Sequence, residues 1–451
     1  MPKRPLPTEA PRERAFLVAA PLEGAPTFLG PEDSLEELER LADTAGLEVV
    51  GAAVQRLHRP DPKTFLGSGK VVEIRDWIED SLADLVIFDD ELSPRHQREL
   101  ERVFGDDVRV LDRTALILDI FAQHAQSHEG RLQVELAQYE YRLPRLTRAW
   151  THLARQAGGG GGQAGSVGGV GLRGPGETQL EVDRRDIGRR IHHLREELEK
   201  VRQHRQRYRQ RRRLAAVATV SMVGYTNAGK STLLGRLSGA EVVVADQLFA
   251  TLDPMTRRIS LPSGRGALLT DTVGFIQKLP AMLVAAFRAT LEEVAEADLL
   301  LHVVDISHPQ ALAQARAVRA TLEEVGAESI PVVTALNKVD RLSDPREAEA
   351  WIDEFDRAVT VSAATGAGLP ALLAAIEHEL YQGMVPVDVG LPYEAGRLLS
   401  LMHEHGRVDR TEHTGSMIHV VGRVPRHLAA EFDPYRRPRR RSRSGAAPTD
   451  S

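Results

Sequence analysis

The chain has 451 residues, a net charge of −6 and no cysteine. The length suits three or four domains of ordinary size. The missing cysteines exclude disulfide frameworks, Cys-ligated zinc and thiol chemistry, and no apolar run approaches the roughly 20 residues that cross a bilayer. The amino-terminal "MPKRPLPTEAPRERAF" has early positive charges without an apolar stretch behind them, so it does not read as a signal peptide. The expected location is cytoplasmic or peripheral to a membrane.

Residues 1–125 read as a small parallel α/β domain. "AFLVAAP", "LEVVGAAV", "ADLVIFDD" and "VRVLDR" have the β-rich, apolar pattern of strands. They alternate with helical patterns: "DSLEELERLADTAG", with Asp33 or Ser34 as N-cap and Gly46 at the stop, "GKVVEIRDWIEDS", and "SPRHQRELERVFG" with Pro94 in its first turn. Strands alternating with helices argue a parallel sheet.

The pattern changes over 126–214. Leu132, Leu136, Tyr139, Leu143, Leu146 and Trp150 recur at helical spacing, as do Ile187, Ile191, Leu194, Leu198 and Val201. Two such stripes, joined by the glycine-rich "AGGGGGQAGSVGGVGLRGPGETQLE" at 157–181, predict an antiparallel helical hairpin with a flexible tip. Pro144 is expected to bend the first arm. Arginine dominates from Arg184 to Arg213, and local basic density of that kind sets an electrostatic footprint on a phosphate backbone whatever the net charge.

Residues 215–383 carry the chemistry. "GYTNAGKS", Gly224 to Ser231, matches G-x-x-x-x-G-K-S between a β-rich run and a helical run. Backbone N–H groups at a helix start wrap a pyrophosphate. Lys230 supplies a charge to the outer phosphates and Ser231 a hydroxyl to Mg²⁺. "LLTDTVGF" ends a strand in Asp271, whose carboxylate can hold the metal through water, and Gly274 follows to meet the terminal phosphate. Thr251, in "FATLDPMTRR", stands where a switch loop places a metal-completing threonine. "ALNKVD" brings Asn337, Lys338 and Asp340. A carboxylate at Asp340 accepts from both the ring N–H and the exocyclic amine of guanine, which adenine does not match. "VSAATG" is placed to offer a backbone N–H to the guanine carbonyl.

The nucleotide-contacting set is therefore Gly224, Tyr225, Thr226, Asn227, Ala228, Gly229, Lys230, Ser231 and Thr232. To these are added Phe249, Ala250, Thr251, Leu252 and Asp253 of the switch, and Asp271, Thr272, Val273 and Gly274 of the second motif. Asn337, Lys338, Val339 and Asp340, with Ser362, Ala363 and Ala364, face the base. Ser231 and Thr251 are the metal ligands. Phe275 stands where many regulatory GTPases carry a water-orienting glutamine. It cannot hydrogen-bond a water, and the catalytic residue stays unassigned.

Residues 384–433 read strand, helix, strand, strand, a small α+β domain. Residues 434–451 turn to Arg, Pro, Ser and Gly, a composition that predicts disorder.

With these motifs in order, the chain resembles the HflX-type GTPases, a ribosome-associated family of the Era/TrmE-like translation class. The marks are "GGVGLRGPGETQLEVDRR", "DRTALILDIFAQHAQSHEGRLQVELAQYEYRLPRL", "FLGSGKVVEI" and "LFATLDPMTRR". Leu172 departs from the pattern, where a polar residue is expected. The resemblance implies a monomer that binds the large ribosomal subunit and its rRNA in the GTP state and splits stalled or idle ribosomes, the hairpin reaching toward the peptidyl-transferase region. It also implies ATP binding by the N-terminal domain, for which "GSGK" at Gly67 to Lys70 offers a short phosphate nest or simply a helix start. Two other readings stay open on the residues alone: an ATP-driven RNA remodeller and a non-catalytic RNA-binding scaffold.

Overall fold

The computed structural model describes residues 12–24, 29–146, 179–214, 217–239, 248–249, 252–278, 294–344, 346–355, 357–382, 384–425 and 428–437. The tip glycines Gly158 to Gly171, Trp150, Ala250, Thr251 and the tail from 438 onward lie outside them. Residues 434–437, expected to be disordered, are ordered instead: the 3-10 turn Asp433–Tyr435 and a bridge between Arg436 and Val389 tie them to the C-terminal unit, because Tyr435 packs on its core.

The first layer is β1 (Arg14–Ala19), α1 (Pro31–Thr44), β2 (Glu48–Val54), α2 (Ser68–Ser81), β3 (Leu85–Phe88), α3 (Pro94–Phe104) and β4 (Arg109–Asp112). The strands form a wholly parallel sheet in the order β2-β1-β3-β4. β1 and β3, central and covered by helices, read as uninterrupted apolar runs, as parallel strands do. α1 starts three or four residues earlier than expected. Pro31 opens it after Gly30, because a proline's preset φ and missing N–H suit the first helical position. Asp33 then reaches back to accept the Gly30 N–H at 3.3 Å, and Gly46 with φ +82° follows the helix end.

α4 (Arg113–His124) and α5 (His128–Arg142) come next, separated by Ser127, whose hydroxyl accepts the Gly130 N–H at 2.9 Å as an N-cap. α5 ends at Arg142 in a 3-10 turn over Leu143–Arg145, which contains Pro144. α6 (Gln179–Leu214) packs against it. The predicted stripes meet over the described helices: Leu132 and Leu136 with Ile191 and Leu194, flanked by Tyr139, Leu143, Ile187, Leu198 and Val201. Leu146, expected on the same stripe, has extended backbone past the turn at Pro144 and takes no part in this cluster. The ion pairs Glu129–Arg205 (2.8 Å) and Glu140–Arg195 (2.7 Å) link opposite ends, so the helices run antiparallel.

The third unit is a six-stranded sheet of order β10-β9-β8-β5-β7-β6. Its elements are β5 (Ala218–Gly224), α7 (Lys230–Ser238), β6 (Met255–Ser260), β7 (Gly266–Asp271), β8 (Leu299–Asp305), α8 (Ala311–Glu324), β9 (Val332–Asn337), α9 (Glu347–Ile352), β10 (Ala358–Thr360) and α10 (Leu369–Gln382). Only the β6–β7 pair is antiparallel. β11 (Val385–Pro392), α11 (Gly396–His405), β12 (Arg407–Thr414) and β13 (Met417–Val424) form a small antiparallel sheet of order β11-β13-β12 under α11, closed by α12 (Ala429–Phe432).

The first and third units share one core. Leu38 and Leu41 of α1 and Phe121 of α4 are buried in the same cluster as Tyr225, Leu248, Phe249, Leu252 and Phe275. No described helix is long and apolar enough to cross a membrane.

Candidate functional site: a nucleotide cradle

β5 runs into the loop 225–229 and then α7, so the loop amides gather at a helix N-terminus at the carboxyl edge of the sheet, where ligands bind in open α/β folds. Gly229 has φ +92°, and a methyl there would strike the Asn337 side chain. Lys230 is buried, and its Nζ donates to the carbonyls of Gly224 (3.0 Å) and Tyr225 (2.9 Å). Burial lowers its pKa to about 8, against the opposing pull of the Asp271 carboxylate. Ser231 Oγ donates to Asp271 Oδ2 at 2.6 Å. The two groups expected at the metal are thus in contact, one as a ligand and the other through water. Thr251, the second expected ligand, lies outside the described residues. A hydroxyl and a carboxylate on fixed elements suit a hard, oxygen-seeking cation such as Mg²⁺.

Gly274 lies over the loop: a Cβ on it would come within 2.9 Å of Thr226 Cα and 3.1 Å of Lys230 Nζ. Thr226 Oγ1 is buried without a hydrogen-bond partner among the described residues. Thr272 is turned into the sheet, its hydroxyl donating to the Met222 carbonyl at 2.6 Å. Phe275 is 2% exposed and pairs with the loop through backbone bonds, Thr226 N–H to Phe275 O (2.8 Å) and Phe275 N–H to Gly224 O (3.1 Å). Its ring is core, so it holds the second motif against the first.

At the base end, Asn337 is a strut. Its Nδ2 donates to the Ala228 carbonyl (2.8 Å) and its Oδ1 accepts the Ala363 N–H (3.0 Å). Lys338, at φ +67°, places its Nζ 2.7 Å from Asp305 Oδ2. Asp340 is exposed in the turn Val339–Arg341. The Ser362 N–H goes to Ala367 O, and Arg236 Nε donates to the Ala363 carbonyl at 3.1 Å. Of the three amides in 362–364, only that of Ala364 has no acceptor among the described residues.

Four non-glycine residues of this site have left-handed backbone: Asn227, Phe249, Lys278 and Lys338. Strain of that kind collects where surrounding structure over-determines a functional loop.

The described switch residues take partners in the first two units. The Phe249 ring meets Phe121 of α4 edge to face, centroids 4.7 Å apart. Leu252 is buried in the shared core. The Asp253 carboxylate caps the N-terminus of α5. These three were expected at the nucleotide, and here they bind the first two units instead. Sequence reasoning also missed a buried charge network beneath the cradle. Arg113 pairs with Glu37 and, at 2.6 Å, with Asp89. Lys278 reaches Asp89 (2.5 Å) and Asp90 (2.9 Å). The Tyr225 hydroxyl donates to Glu37 and accepts the Gln277 N–H at 2.7 Å. Burial pushes Glu37 up more than Arg113 pulls it down. Burial also pushes Asp89 up, but Arg113 and Lys278 overcome it and hold it low. In the sequence, Asp89, Arg113 and Lys278 show only as charges beside apolar runs, and Glu37 as one of several charges on an amphipathic helix.

In the N-terminal unit, Lys70 of "GSGK" is committed to Glu73 (3.0 Å) and lies over the Trp77 ring at 4.6 Å.

Comparison with known proteins rests on more than this cradle. The chain is 46% identical to the GTPase HflX of Caldanaerobacter subterraneus subsp. tengcongensis over 399 residues, 88% of this chain and 87% of that one. It is 46% identical to the GTPase HflX of Escherichia coli over 380 residues, 84% and 86% respectively. The chain belongs to the GTPase HflX family. Within that family its segments match the models "GTP-binding GTPase N-terminal" over 32–122, "GTP-binding GTPase Middle Region" over 124–212, "50S ribosome-binding GTPase" over 219–338 and "HflX C-terminal domain" over 350–437. A GTP-binding protein from Sulfolobus solfataricus, solved with GDP, is 23% identical and aligns at a TM-score of 0.42 over 82% of this chain and 99% of its own.

Proposed function

We propose that this HflX-family GTPase is ribosome-associated, docks on the large subunit and its rRNA in the GTP state, and dissociates or rescues stalled or idle ribosomes. Hydrolysis then resets it. The observation that supports the reading is that the phosphate loop, Asp271 with Gly274, and Asn337 with Ala363 meet at one sheet edge, with the helical arm packed into the same molecule through Asp253. GTP is cradled by Gly224 to Thr232 and Gly274, its base by Asn337, Lys338, Asp340 and Ala364. Ser231 and Thr251, with Asp271 through water, would hold Mg²⁺, which would supply charge neutralisation at the outer phosphates. The division into 1–125, 126–214, 215–383, 384–433 and 434–451 follows the same functional parts, and the protein acts as a cytoplasmic monomer.

The glycine-rich tip, with Arg173 beside it, enters a narrow RNA cavity, because glycine permits close backbone approach. Ordering it costs on the order of 1 kcal/mol or more per residue, so the basic arm must add phosphate contacts. The test is sedimentation with purified subunits in a non-hydrolysable GTP analogue, GDP and no nucleotide. Selective co-sedimentation of large subunits with the analogue is expected. Equal co-sedimentation in all three would reject the reading. Deleting Gly158 to Gly171 should leave GTP affinity intact and abolish splitting.

A further inference from the structure

The switch segment is pinned on both sides of Ala250 and Thr251. Upstream, the Leu248 N–H donates to Thr44 Oγ1 of α1 at 3.3 Å, and Phe249 packs on Phe121. Downstream, Asp253 Oδ2 accepts the N–H groups of Gln126 (2.8 Å) and Ser127 (2.7 Å), and Oδ1 accepts the Ser127 hydroxyl. Ser127 Oγ in turn caps Gly130 N–H. The contact is fitted: a methyl group on Gly130 would strike the Asp253 carboxylate. A carboxylate at a helix N-terminus also satisfies orphan amides and is favoured by the helix dipole.

α5 is the base of the arm. Between the clamp residues, Glu129 pairs with Arg205, and in the next two turns Leu132 and Leu136 pack on Ile191 and Leu194 of α6. An unbroken series of contacts therefore runs from the switch to the second helix of the arm.

We infer that Asp253 is a positioning residue that couples the GTP site to the helical arm, transmitting switch movement to α5 through Ser127 and Gly130. Asp253 follows Thr251 by two residues in the chain, so movement of the switch reaches it, and the clamp passes that displacement to the helix. Packed elements respond to such shifts as units. The inference rests on the nucleotide reading of the site. It does not require the ribosome.

The chain has no cysteine, so Arg189→Cys on α6 and Glu323→Cys on α8 allow clean paired spin labelling at exposed sites. In the labelled parent, the distance between them should differ by about 2 Å or more between GDP and a non-hydrolysable GTP analogue. Asp253→Ala should remove most of that difference while GDP affinity stays within about two-fold, and should lower kcat for GTP about ten-fold with KM unchanged. Asp253→Asn, which keeps the shape but one acceptor oxygen, should fall between. Gly130→Ala approaches the clamp from the other side and should have the same effect as Asp253→Ala, which separates coupling from a defect in the switch itself. An undiminished distance change in Asp253→Ala, or no change in the parent with analogue bound, overturns the inference. Ribosome co-sedimentation that still follows nucleotide would then leave the proposed function standing.

Discussion

Asn337 Nδ2 donates to the carbonyl of Ala228 at 2.8 Å, tying the phosphate loop to the strand that carries the base-recognition motif. The same side chain accepts the Ala363 N–H, so one buried amide braces three segments of the site. Gly229 is glycine beside it because a side chain would occupy the amide's place.

Asn337→Ala should therefore weaken GTP and GDP alike. Two buried groups lose their partners, each at about 1–3 kcal/mol if left unsatisfied. Part of that relaxes, so a loss of about 10- to 100-fold in affinity is expected by calorimetric titration. An unchanged Kd would reject the brace.

Asp340 is exposed. On the proposed function, its selectivity arises when guanine buries it and pairs both oxygens. Asp340→Asn should shift preference from guanine toward xanthine, with GTP weakened by about 10³-fold or more relative to XTP. Competition between the two nucleotides measures it, and retained GTP preference would remove Asp340 from the base site.

Lys230 titrates at about 8 because burial disfavours its charge. A bound phosphate favours the ammonium form and raises the pKa again. Binding above pH 8 must then take up a proton, whereas below about pH 7 this group contributes no pH dependence. GDP affinity should fall by up to about ten-fold per pH unit above 8. Titration in buffers of different ionisation enthalpy should show nearly one proton taken up at pH 9. No uptake there would mean that the lysine is charged throughout.

Arg113 is fully buried between Glu37 and Asp89. Arg113→Met leaves two carboxylates without their shared cation, a loss of about 3–5 kcal/mol. Urea denaturation should show it. Adding Glu37→Gln to Arg113→Met should restore part of the stability, and failure to do so would mean that packing rather than charge carries the effect.

Local chemistry determined much of this protein from the chain alone. The parallel first sheet was legible because its strands are continuous apolar runs between capped helices. The two arm stripes were legible because seven-residue spacing survives any tertiary context. The nucleotide motifs were legible because phosphate, metal and base each need specific residue types at fixed spacing. Two local readings moved: α1 begins at Pro31 rather than after Asp33 or Ser34, since a proline competes well for the first helical position, and residues 434–437, expected to be disordered, join the C-terminal unit, because Tyr435 finds a core to pack on.

What only the tertiary structure decided are relationships between residues distant in sequence. Asp253 stands 126 residues from Ser127, and Tyr225 stands 188 from Glu37. A carboxylate has the same composition and spacing whether it faces a nucleotide or a helix N-terminus. Which partner it takes depends on which surfaces the shared core brings together. That is set by the burial of Leu38, Phe121, Phe249 and Phe275 in one cluster, a property of the folded whole and of no single segment.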